Sequence, residues 1–455
     1  MNHELTYKKK SFYETFGEAE KKAAHQYAKE YTAFLDAAKT EREAVNYAIK
    51  MAEQNGFFPY RFGMQLVTGG RYYFNNRGKN LFLFTLGSES LENGFRISVA
   101  HIDSPRLDLK PCPLYEEGGM SFLKTRYYGG IRKYQWVAIP LALHGVVVKA
   151  DGSVVNITIG EDNEDPVFYI NDLLPHLGHD DDKKPLGDAI PAEKLNILVG
   201  SEPIGDTDTP IKQNVLRILN EKYGITEEDF LSAELSAVPA DKARDIGFDR
   251  SLIGAYGHDD RVCAYPALTA LFQSLDSTHS LMCVLADKEE TGSDGDTGMQ
   301  ADLICDLIHE ISVSMGANPT VVRYHSKCLS ADVSASFDPN FPEVFEKRNA
   351  SLLSCGVVLT KYTGSRGKSG TNDASAEYVG FLRGIFAKEN ILWQTGELGK
   401  TDCGGGGTVA KYISKHNIET VDLGVPVISM HAPYEAVAKV DVYETHRAFC
   451  AFCKH

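Results

Sequence analysis

Apolar segments that end in histidine or acidic residues are the feature that most constrains the fold of this chain. Three such segments are Phe95–Ala100 before His101, Leu281–Ala286 before Asp287–Glu290, and Val425–Met430 before His431. In open α/β sheets, ligands gather at the carboxyl ends of the strands. We therefore expect three strands to deliver these side chains to one edge of a sheet.

From Ser251 onward, helical and strand-like segments alternate along the chain. The predicted helices are Val262–Leu275, Asp296–Ser314 and Thr371–Phe386, and the predicted strands are Ser280–Ala286, Val357–Thr360 and Glu419–Leu423. Residues 11–55 are predicted to be helical apart from Phe16 and Gly17, and a β-hairpin is predicted around the turn Asn75–Gly78. This alternation predicts an α/β fold with a mixed sheet and helices on both faces.

Residues 106–245 have a different character. They contain short β-like segments such as Val146–Lys149 and Val154–Ile159, with the turn residues Asp151 and Gly152 between them. Candidate metal-binding motifs lie on both sides of this region and none lies inside it. We therefore predict a discontinuous domain of residues 1–105 plus 246–455, interrupted by a β-rich domain of residues 106–245.

Composition narrows the class of protein. A chain of 455 residues exceeds one ordinary domain, and its formal charge of -15 argues against nucleic acid or an anionic membrane as a partner. No segment has the length and apolarity of a membrane span, and the N-terminus lacks the apolar core of a signal peptide. The odd number of scattered cysteines favours a reducing compartment, so we expect a cytoplasmic protein. The pair Cys450 and Cys453 lies in an apolar helix-like segment, which favours incidental thiols over a redox site.

His101 and Asp103 are two residues apart, so on an extended chain their side chains point the same way. Asp103 can then accept a hydrogen bond from the second ring nitrogen of His101 and fix its orientation for metal binding. Taken alone, a structural histidine is the simpler explanation.

Two pairs of adjacent carboxylates add to this pattern. Asp259 and Asp260 precede a helix, where either one can serve as an N-cap or as a bridge between two cations. Glu289 and Glu290 follow an apolar strand, and burying both without a cation is costly. One can bind a metal while the other accepts a proton from water, as in metal hydrolases, and a solvated glutamate pair is the alternative.

Asp332 and His431 complete the candidate set. Each is ambiguous alone, but together the motifs supply two histidines and three or four carboxylates. Such nitrogen and oxygen ligands suit zinc, manganese or cobalt without a thiolate. The combined set therefore predicts a metal site.

At this point the sequence resembles the aspartyl aminopeptidase and vacuolar aminopeptidase I family of metallopeptidases over nearly its whole length. The segments that carry the resemblance are Ala100–Pro105, Tyr128–Gly130, Asp259–Arg261, Glu289–Ser293, Ser330–Asp332 with Pro339-Asn340, Thr371-Asn372, and Asp422–Gly424 with Ser429–His431. No single segment is specific to this family, but the ordered set of segments is.

The resemblance implies a metal-dependent aminopeptidase that removes N-terminal residues from peptides. It implies two divalent ions, zinc with cobalt or manganese as alternatives, held by His101, Asp259 as the bridging ligand, Glu290, Asp332 and His431. Glu289 and Asp103 would be the catalytic residues, Glu289 as general base and Asp103 as the residue that orients His101. The inserted domain would mediate dimer contacts within a homo-oligomeric dodecamer.

The chain departs from the family pattern near the substrate pocket. Ala335 and Asp338 stand where family members commonly have histidines, and Ser369 stands where a tyrosine is common. A strict preference for acidic N-terminal residues is therefore not expected. Lys361 is a candidate for recognising an acidic side chain, with a surface lysine as the alternative. His176 is a candidate for reaching a neighbouring subunit's site, with His179 competing for that role.

Two other functions remain open on the same scaffold. One is a different hydrolase, such as a carboxypeptidase or deacylase. The other is a metal-binding assembly protein without catalysis, which the divergence near Asp332 permits. The presence of Glu289 argues against the second, because an inactive scaffold needs no general base.

Overall fold

A computed structural model describes residues 5–455 of the chain. Its internal contacts divide the chain into two compact units. The first unit comprises the described chain up to Asp103, Ala243–Met430 and Glu435–His455, and the second comprises Ser104–Lys242 and His431–Tyr434. The catalytic and oligomerisation roles expected for the two regions stay predictions.

The described chain forms helices of very different lengths. In chain order they are α1 (Phe12–Thr15), α2 (Glu18–Ala37), α3 (Glu41–Gln54), α4 (Leu186–Ala189), α5 (Pro210–Tyr223), α6 (His258–Gln273), α7 (Leu303–Ser314), α8 (Pro319–His325), α9 (Ala376–Lys388), α10 (Ala410–Ser414) and α11 (Lys439–Lys454). Within residues 5–455, no helix combines the length and apolarity needed to cross a membrane.

The strands supply the sheets of both units. In chain order they are β1 (Phe58–Pro59), β2 (Arg71–Asn76), β3 (Asn80–Thr85), β4 (Phe95–His101), β5 (Arg106–Glu117), β6 (Met120–Tyr128), β7 (Leu141–Val148), β8 (Val154–Ile159), β9 (Tyr169–Ile170), β10 (Asn196–Gly200), β11 (Ala233–Pro239), β12 (Arg244–Ile246), β13 (Leu252–Ala255), β14 (Ser280–Ala286), β15 (Lys327–Ser330), β16 (Ser334–Ala335), β17 (Val357–Thr360), β18 (Gly364–Ser365), β19 (Trp393–Thr395), β20 (Gly405–Gly406), β21 (Glu419–Gly424), β22 (Pro426–Ile428) and β23 (Glu435–Ala438).

A nine-stranded mixed sheet organises the first unit. Its strand order is β1-β2-β3-β14-β4-β15-β21-β17-β19. The central strands β14, β4, β15 and β21 run parallel, whereas β3 is antiparallel to β14. The unit also contains a five-stranded sheet in the order β12-β13-β23-β22-β16 and a two-stranded sheet of β18 and β20. Because β14, β4 and β15 are parallel neighbours, their carboxyl ends lie at one edge.

Residues along β3 alternate between two apolar cores, as the period of a strand requires. Leu81 and Leu83 belong to a core that includes residues of α2, α3, α6 and α11. Phe82 and Phe84 belong to a second core that includes residues of α7, α8 and α10. Each fully buried apolar side chain of this size contributes about 1.5–3 kcal/mol. The prediction of a mixed sheet with helices on both faces is therefore confirmed.

The second unit is β-rich. Its antiparallel seven-stranded sheet has the order β8-β7-β11-β5-β6-β10-β9, and its apolar core includes Val147, Ile159 and Phe230. The predicted hairpin is present as β7 and β8. The Asp151 carboxylate accepts a hydrogen bond from the backbone N–H of Ser153 at 2.9 Å, which stabilises the turn.

Several predicted helix boundaries were wrong. The interruption predicted at Phe16 and Gly17 separates α1 from α2, but a second break before α3 was not predicted, where Thr40 caps a new helix in a capping box. Helix α7 begins at Leu303 rather than Asp296, after a turn segment in which Gly295 has a φ of 93°. Helix α9 begins at Ala376 rather than Thr371, because the Ser375 side chain caps it.

Candidate metal centre

His101 is the last residue of β4 and its side chain is 1% exposed. Its Nε2 lies 3.1 Å from Asp259 Oδ1, 3.8 Å from Asp332 Oδ1 and 3.9 Å from Glu289 Oε2. Strand β4 thus places one imidazole nitrogen among carboxylates from three separate segments of the chain. All of these residues belong to the first unit.

Asp103 fixes both the histidine and the glutamate pair. Nδ1 of His101 lies 3.0 Å from the carbonyl oxygen of Asp103 and 3.4 Å from its carboxylate. The two carboxylate oxygens of Asp103 accept hydrogen bonds from the backbone N–H groups of Glu289 and Glu290, each at 3.2 Å. Asp103 is fully buried, so these bonds are shielded from water. They hold the end of β4 against the segment after β14.

Asp259 and Asp260 lie at the start of α6, with a cis peptide bond between them. Both aspartates have non-helical backbone angles, so the regular part of α6 begins after Asp260. The backbone N–H of Asp259 donates to Glu435 Oε2 at 3.1 Å, and Arg261 Nη2 donates to the carbonyl of Lys39 at 2.6 Å. These bonds hold the backbone of Asp259 and the side chain of Arg261 in place.

Glu289 and Glu290 begin a short 3₁₀ turn, Glu289–Thr291, three residues after β14 ends at Ala286. The turn is flanked by two left-handed residues, Lys288 with a φ of 65° and Gly292 with a φ of 95°. This tight reversal keeps both glutamates next to the end of the strand. Neither glutamate is fully exposed, and the Glu289 side chain is 16% exposed.

Three overlapping groups of side chains have ligand atoms within 4.8 Å of one another. They are His101 with Glu289 and Asp332, His101 with Asp259 and Glu290, and Asp259 with Asp260 and Asp332. Imidazole nitrogen and carboxylate oxygens are the ligands that zinc, cobalt and manganese accept. His101, Asp259 and Asp332 each belong to two of the groups, so the groups form one connected cluster.

The charges in this cluster are unbalanced without a cation. Burial, together with repulsion from Asp332, Asp103 and Asp259, raises the pKa of Glu289 to about 8, although His101 opposes the shift. Burial also raises the pKa of Asp260 well above its usual range, with Asp332 and Asp259 adding to the shift. A bound divalent cation would remove this repulsion, so the residues fit a metal site.

The pKa of His101 reflects the same excess of negative charge. Burial lowers its pKa, but hydrogen bonds to Asp103, Asp259 and Asp332, with the charge of Glu289, raise the pKa well above the usual value overall. A proton on His101 thus supplies positive charge that a bound cation would otherwise supply.

His431 belongs to the second of the two compact units. Its Nδ1 lies 2.8 Å from the carbonyl oxygen of Gly130, and its backbone has a φ of 65°. It is absent from the three candidate groups found among residues 5–455. Its predicted role as a metal ligand stays a prediction.

The two predicted substrate-binding residues lie in different units. Lys361 Nζ donates to Asp373 Oδ1 at 2.6 Å, so its charge is already paired. His176 is exposed in a short 3₁₀ turn of the second unit, Pro175–Leu177. Both roles stay predictions.

Two acidic residues near the cluster had no assigned role in the sequence analysis. Glu435 accepts the bond from Asp259, and buried Asp422 accepts one from Thr408 Oγ1 at 2.6 Å. Burial raises the pKa of Asp422 to about 8, and the charge of Asp332 adds to the shift. An acid between the apolar residues Val421 and Leu423 of β21 was the signal that could have drawn attention to Asp422.

Comparisons with known proteins point to one family. The sequence profile described as "Aminopeptidase I zinc metalloprotease (M18)" matches residues 34–453. A Clostridium acetobutylicum protein described as an M18 family aminopeptidase 1 is 47% identical, with 99% of each chain covered. The crystal structure of an M18 family aminopeptidase from Thermotoga maritima has a TM-score of 0.94 at 41% identity, covering 99% of this chain and 100% of that one.

A structure with lower sequence identity has the same fold. The S. cerevisiae mApe1 dodecamer is 21% identical with a TM-score of 0.79, covering 95% of this chain and 97% of that one, which shows a shared fold. The profile match spans most of the chain, and the bacterial relatives are similar over their whole length. The chain is therefore a member of the M18 family of zinc metalloproteases and a metal-dependent aminopeptidase.

Proposed function

We propose that this aminopeptidase uses two divalent ions, held by His101, Asp259, Glu290, Asp332 and His431. Asp259 would be the bridging ligand. The observation that carries the proposal is the position of His101 Nε2, within 4 Å of carboxylates from three segments. Zinc is the proposed metal, with cobalt and manganese as alternatives that the same ligands accept.

Bound divalent ions would supply Lewis-acid chemistry, which lowers the pKa of water and polarises a carbonyl group. Glu289 acts as the general base: its carboxylate accepts a proton from the attacking water and returns it to the leaving amine. Its position at the end of β14, partly exposed beside His101 and Asp332, supports this role. Asp103 orients His101 and holds the backbone of Glu289 in place.

Selection of the N-terminal residue follows from charge. The acidic cluster favours the positively charged amino group of an unblocked peptide, whereas an acetylated N-terminus lacks that charge. Lys361 is already paired with Asp373, which supports a preference broader than acidic N-terminal residues. Recognition of an acidic side chain by Lys361 would require that ion pair to open.

A homo-oligomer, a dodecamer by similarity to the yeast structure, is proposed as the working form. The second unit is proposed as the assembly domain, with His176 as a candidate contact to a neighbouring subunit. Native mass spectrometry tests the assembly, because a dodecamer and a dimer differ sixfold in mass. A cytoplasmic location is also proposed, and the nine free thiols support a reducing compartment.

The decisive experiment measures release of free amino acids from matched unblocked and N-acetylated peptides. The enzyme is assayed as purified, after chelation, and after zinc, cobalt or manganese is restored. We expect metal-dependent release from unblocked peptides alone. Release from the C-terminus, or equal cleavage of acetylated peptides, would instead favour a carboxypeptidase or deacylase. An absence of release with every metal would contradict the proposal.

A further inference from the structure

A polar cavity of about 790 Å³ lies in the first unit beside the C-terminal end of α6. Its lining includes Tyr27 of α2, Gln273 of α6, and His446 and Cys450 of α11. Gln273 is fourteen residues beyond Asp259 on α6, which corresponds to about 21 Å along a helix. The cavity is therefore separate from the metal centre described above.

Three different donor atoms meet in the wall of this cavity. His446 Nε2 lies 2.6 Å from Gln273 Oε1 and 3.5 Å from Cys450 Sγ. Cys450 Sγ lies 3.6 Å from the same Gln273 oxygen. His446 and Cys450 are four residues apart, so they share one face of α11. Two ligands at this spacing on one helix are a common way to hold a metal.

The spacing of these atoms approaches that of ligands around one ion. Metal–sulfur and metal–nitrogen bonds of about 2.3 and 2.0 Å in a tetrahedral site put neighbouring ligand atoms roughly 3.5 Å apart. The two distances from Cys450 Sγ already match that value. The Gln273 oxygen must move outward by about 1 Å, which its flexible side chain and the adjoining cavity permit.

The surroundings of His446 favour a neutral imidazole. Burial lowers the pKa of His446 to about 4. His446 Nε2–H donates a hydrogen bond to Gln273 Oε1 at 2.6 Å, and Nδ1 lies 2.9 Å from Thr269 Oγ1. Nε2 becomes a ligand when the ring proton is on Nδ1, where Thr269 Oγ1 can accept a hydrogen bond from it. Such an orienting hydrogen bond is typical of histidines that bind metal.

We propose that His446, Cys450 and Gln273 form a second metal site, for a thiophilic cation such as Zn²⁺ or Cd²⁺. On binding, the Cys450 S–H bond breaks, its proton passes to solvent through the cavity, and a sulfur–metal bond forms. The Nε2 proton of His446 moves to Nδ1, and a nitrogen–metal bond forms at Nε2. His446 Nε2 and Gln273 Oε1 supply the second and third ligands. The fourth position faces the cavity, where water completes the coordination.

A cadmium titration tests this site without any peptide substrate. Thiolate bound to Cd²⁺ gives an ultraviolet charge-transfer band, whereas the nitrogen and oxygen ligands of the metal centre give none. The starting protein carries Cys112→Ser and Cys403→Ser, which remove the two exposed thiols. We expect one equivalent of the band in this protein, none after Cys450→Ser, and binding weaker by about tenfold or more after His446→Gln.

The matched control is Cys305→Ser, which removes a half-buried thiol of α7 and should leave the band unchanged. Circular dichroism checks that each variant is folded, and Cys450→Ala replaces Cys450→Ser if the latter is not. A band that survives loss of Cys450, or no band in the starting protein, would overturn the proposal. Because the readout needs no activity, its failure would leave the proposed aminopeptidase mechanism untouched.

Discussion

Glu289 and Glu290 are adjacent in the chain but belong to different groups of ligand atoms. Glu289 groups with His101 and Asp332, whereas Glu290 groups with His101 and Asp259. If Glu289 is the general base, Glu289→Gln should lower kcat by roughly 10²- to 10⁴-fold, because an amide cannot accept the proton of water. Metal content should stay at the wild-type level. Steady-state peptide assays and elemental analysis of the same sample measure both.

The control for this variant is Glu343→Gln, which removes an exposed carboxylate. It should match wild type in both measurements. A Glu289→Gln enzyme with kcat within a few fold of wild type would contradict the assignment. Loss of metal together with activity would instead make Glu289 a ligand.

Asp103 acts through its neighbours in the proposed mechanism. Asp103→Asn leaves one carbonyl oxygen where two carboxylate oxygens now accept bonds from Glu289 and Glu290. We expect metal affinity to fall by about 10- to 100-fold, because the orientation of His101 is weakened. Activity should recover when metal is added in excess, as measured by a metal titration of the chelated enzyme. An unchanged midpoint in that titration would exclude the orienting role.

Buried His446 links stability to pH. Its pKa is lowered to about 4 in the folded protein, against about 6.5 when unfolded. The unfolded chain therefore binds more protons between these values, so stability is complete above pH 6.5 and is lost as the pH falls toward 4. The loss from this residue is roughly 2 kcal/mol at pH 5.

His446→Gln should therefore lose roughly 2 kcal/mol less than wild type between pH 7.5 and pH 5. Urea unfolding of the metal-free proteins at both pH values measures the difference. His309→Gln, at an exposed position of α7, should behave as wild type. Equal losses in wild type and His446→Gln would show that His446 is not the group responsible.

At the scale of single elements, α7 illustrates how an amphipathic helix attaches to the sheet. Its buried residues include Leu307, Ile308 and Ile311, spaced so that they share one face. Leu307→Ala should cost about 2–5 kcal/mol of unfolding free energy, because it opens a cavity in the core. Val313→Ala lies on the same helix but is 59% exposed, so its cost should stay within about 0.5 kcal/mol. Similar unfolding midpoints for the two variants would contradict this packing.

The sequence predicted those helices and strands whose apolar residues recur at a regular spacing. Ser280–Ala286 was predicted as a strand and forms β14 with the same bounds. Helix starts were harder, because they depend on local contacts rather than on the apolar repeat. The segment before α7 instead forms turns in which Thr297 Oγ1 donates to Asp287 Oδ2 at 2.5 Å. That contact joins two separate segments, and no local pattern encodes it.

Part of the candidate metal centre could be predicted from the sequence, because some of its residues lie at or just after the ends of strands. His101 and Glu289 follow strands, so their meeting at one edge follows from a parallel sheet. The contribution of Asp260 was open, since an aspartate before a helix is equally suited to capping. Its burial and its distance from Asp332 depend on packing among segments far apart in the chain. Such packing is a property of the folded molecule.

At the scale of the whole molecule, the acidic cluster couples metal binding to folding. Burying several carboxylates beside one another costs free energy that a bound cation offsets. Chelation should therefore lower Tm, and restoring zinc should raise it, because the ion binds the folded state and the unfolded chain lacks the site. At a hundredfold excess over Kd, each site adds about 2.7 kcal/mol.

Differential scanning calorimetry of the chelated protein, with and without added zinc, measures this coupling. Asp332→Asn should reduce the increase in Tm, because Asp332 belongs to two of the three ligand groups. Its own metal-free Tm should not fall below that of the metal-free wild type, since it removes one of the repelling charges. An equal increase in both proteins would mean that zinc acts elsewhere, whereas no increase in wild type would contradict a preformed metal centre.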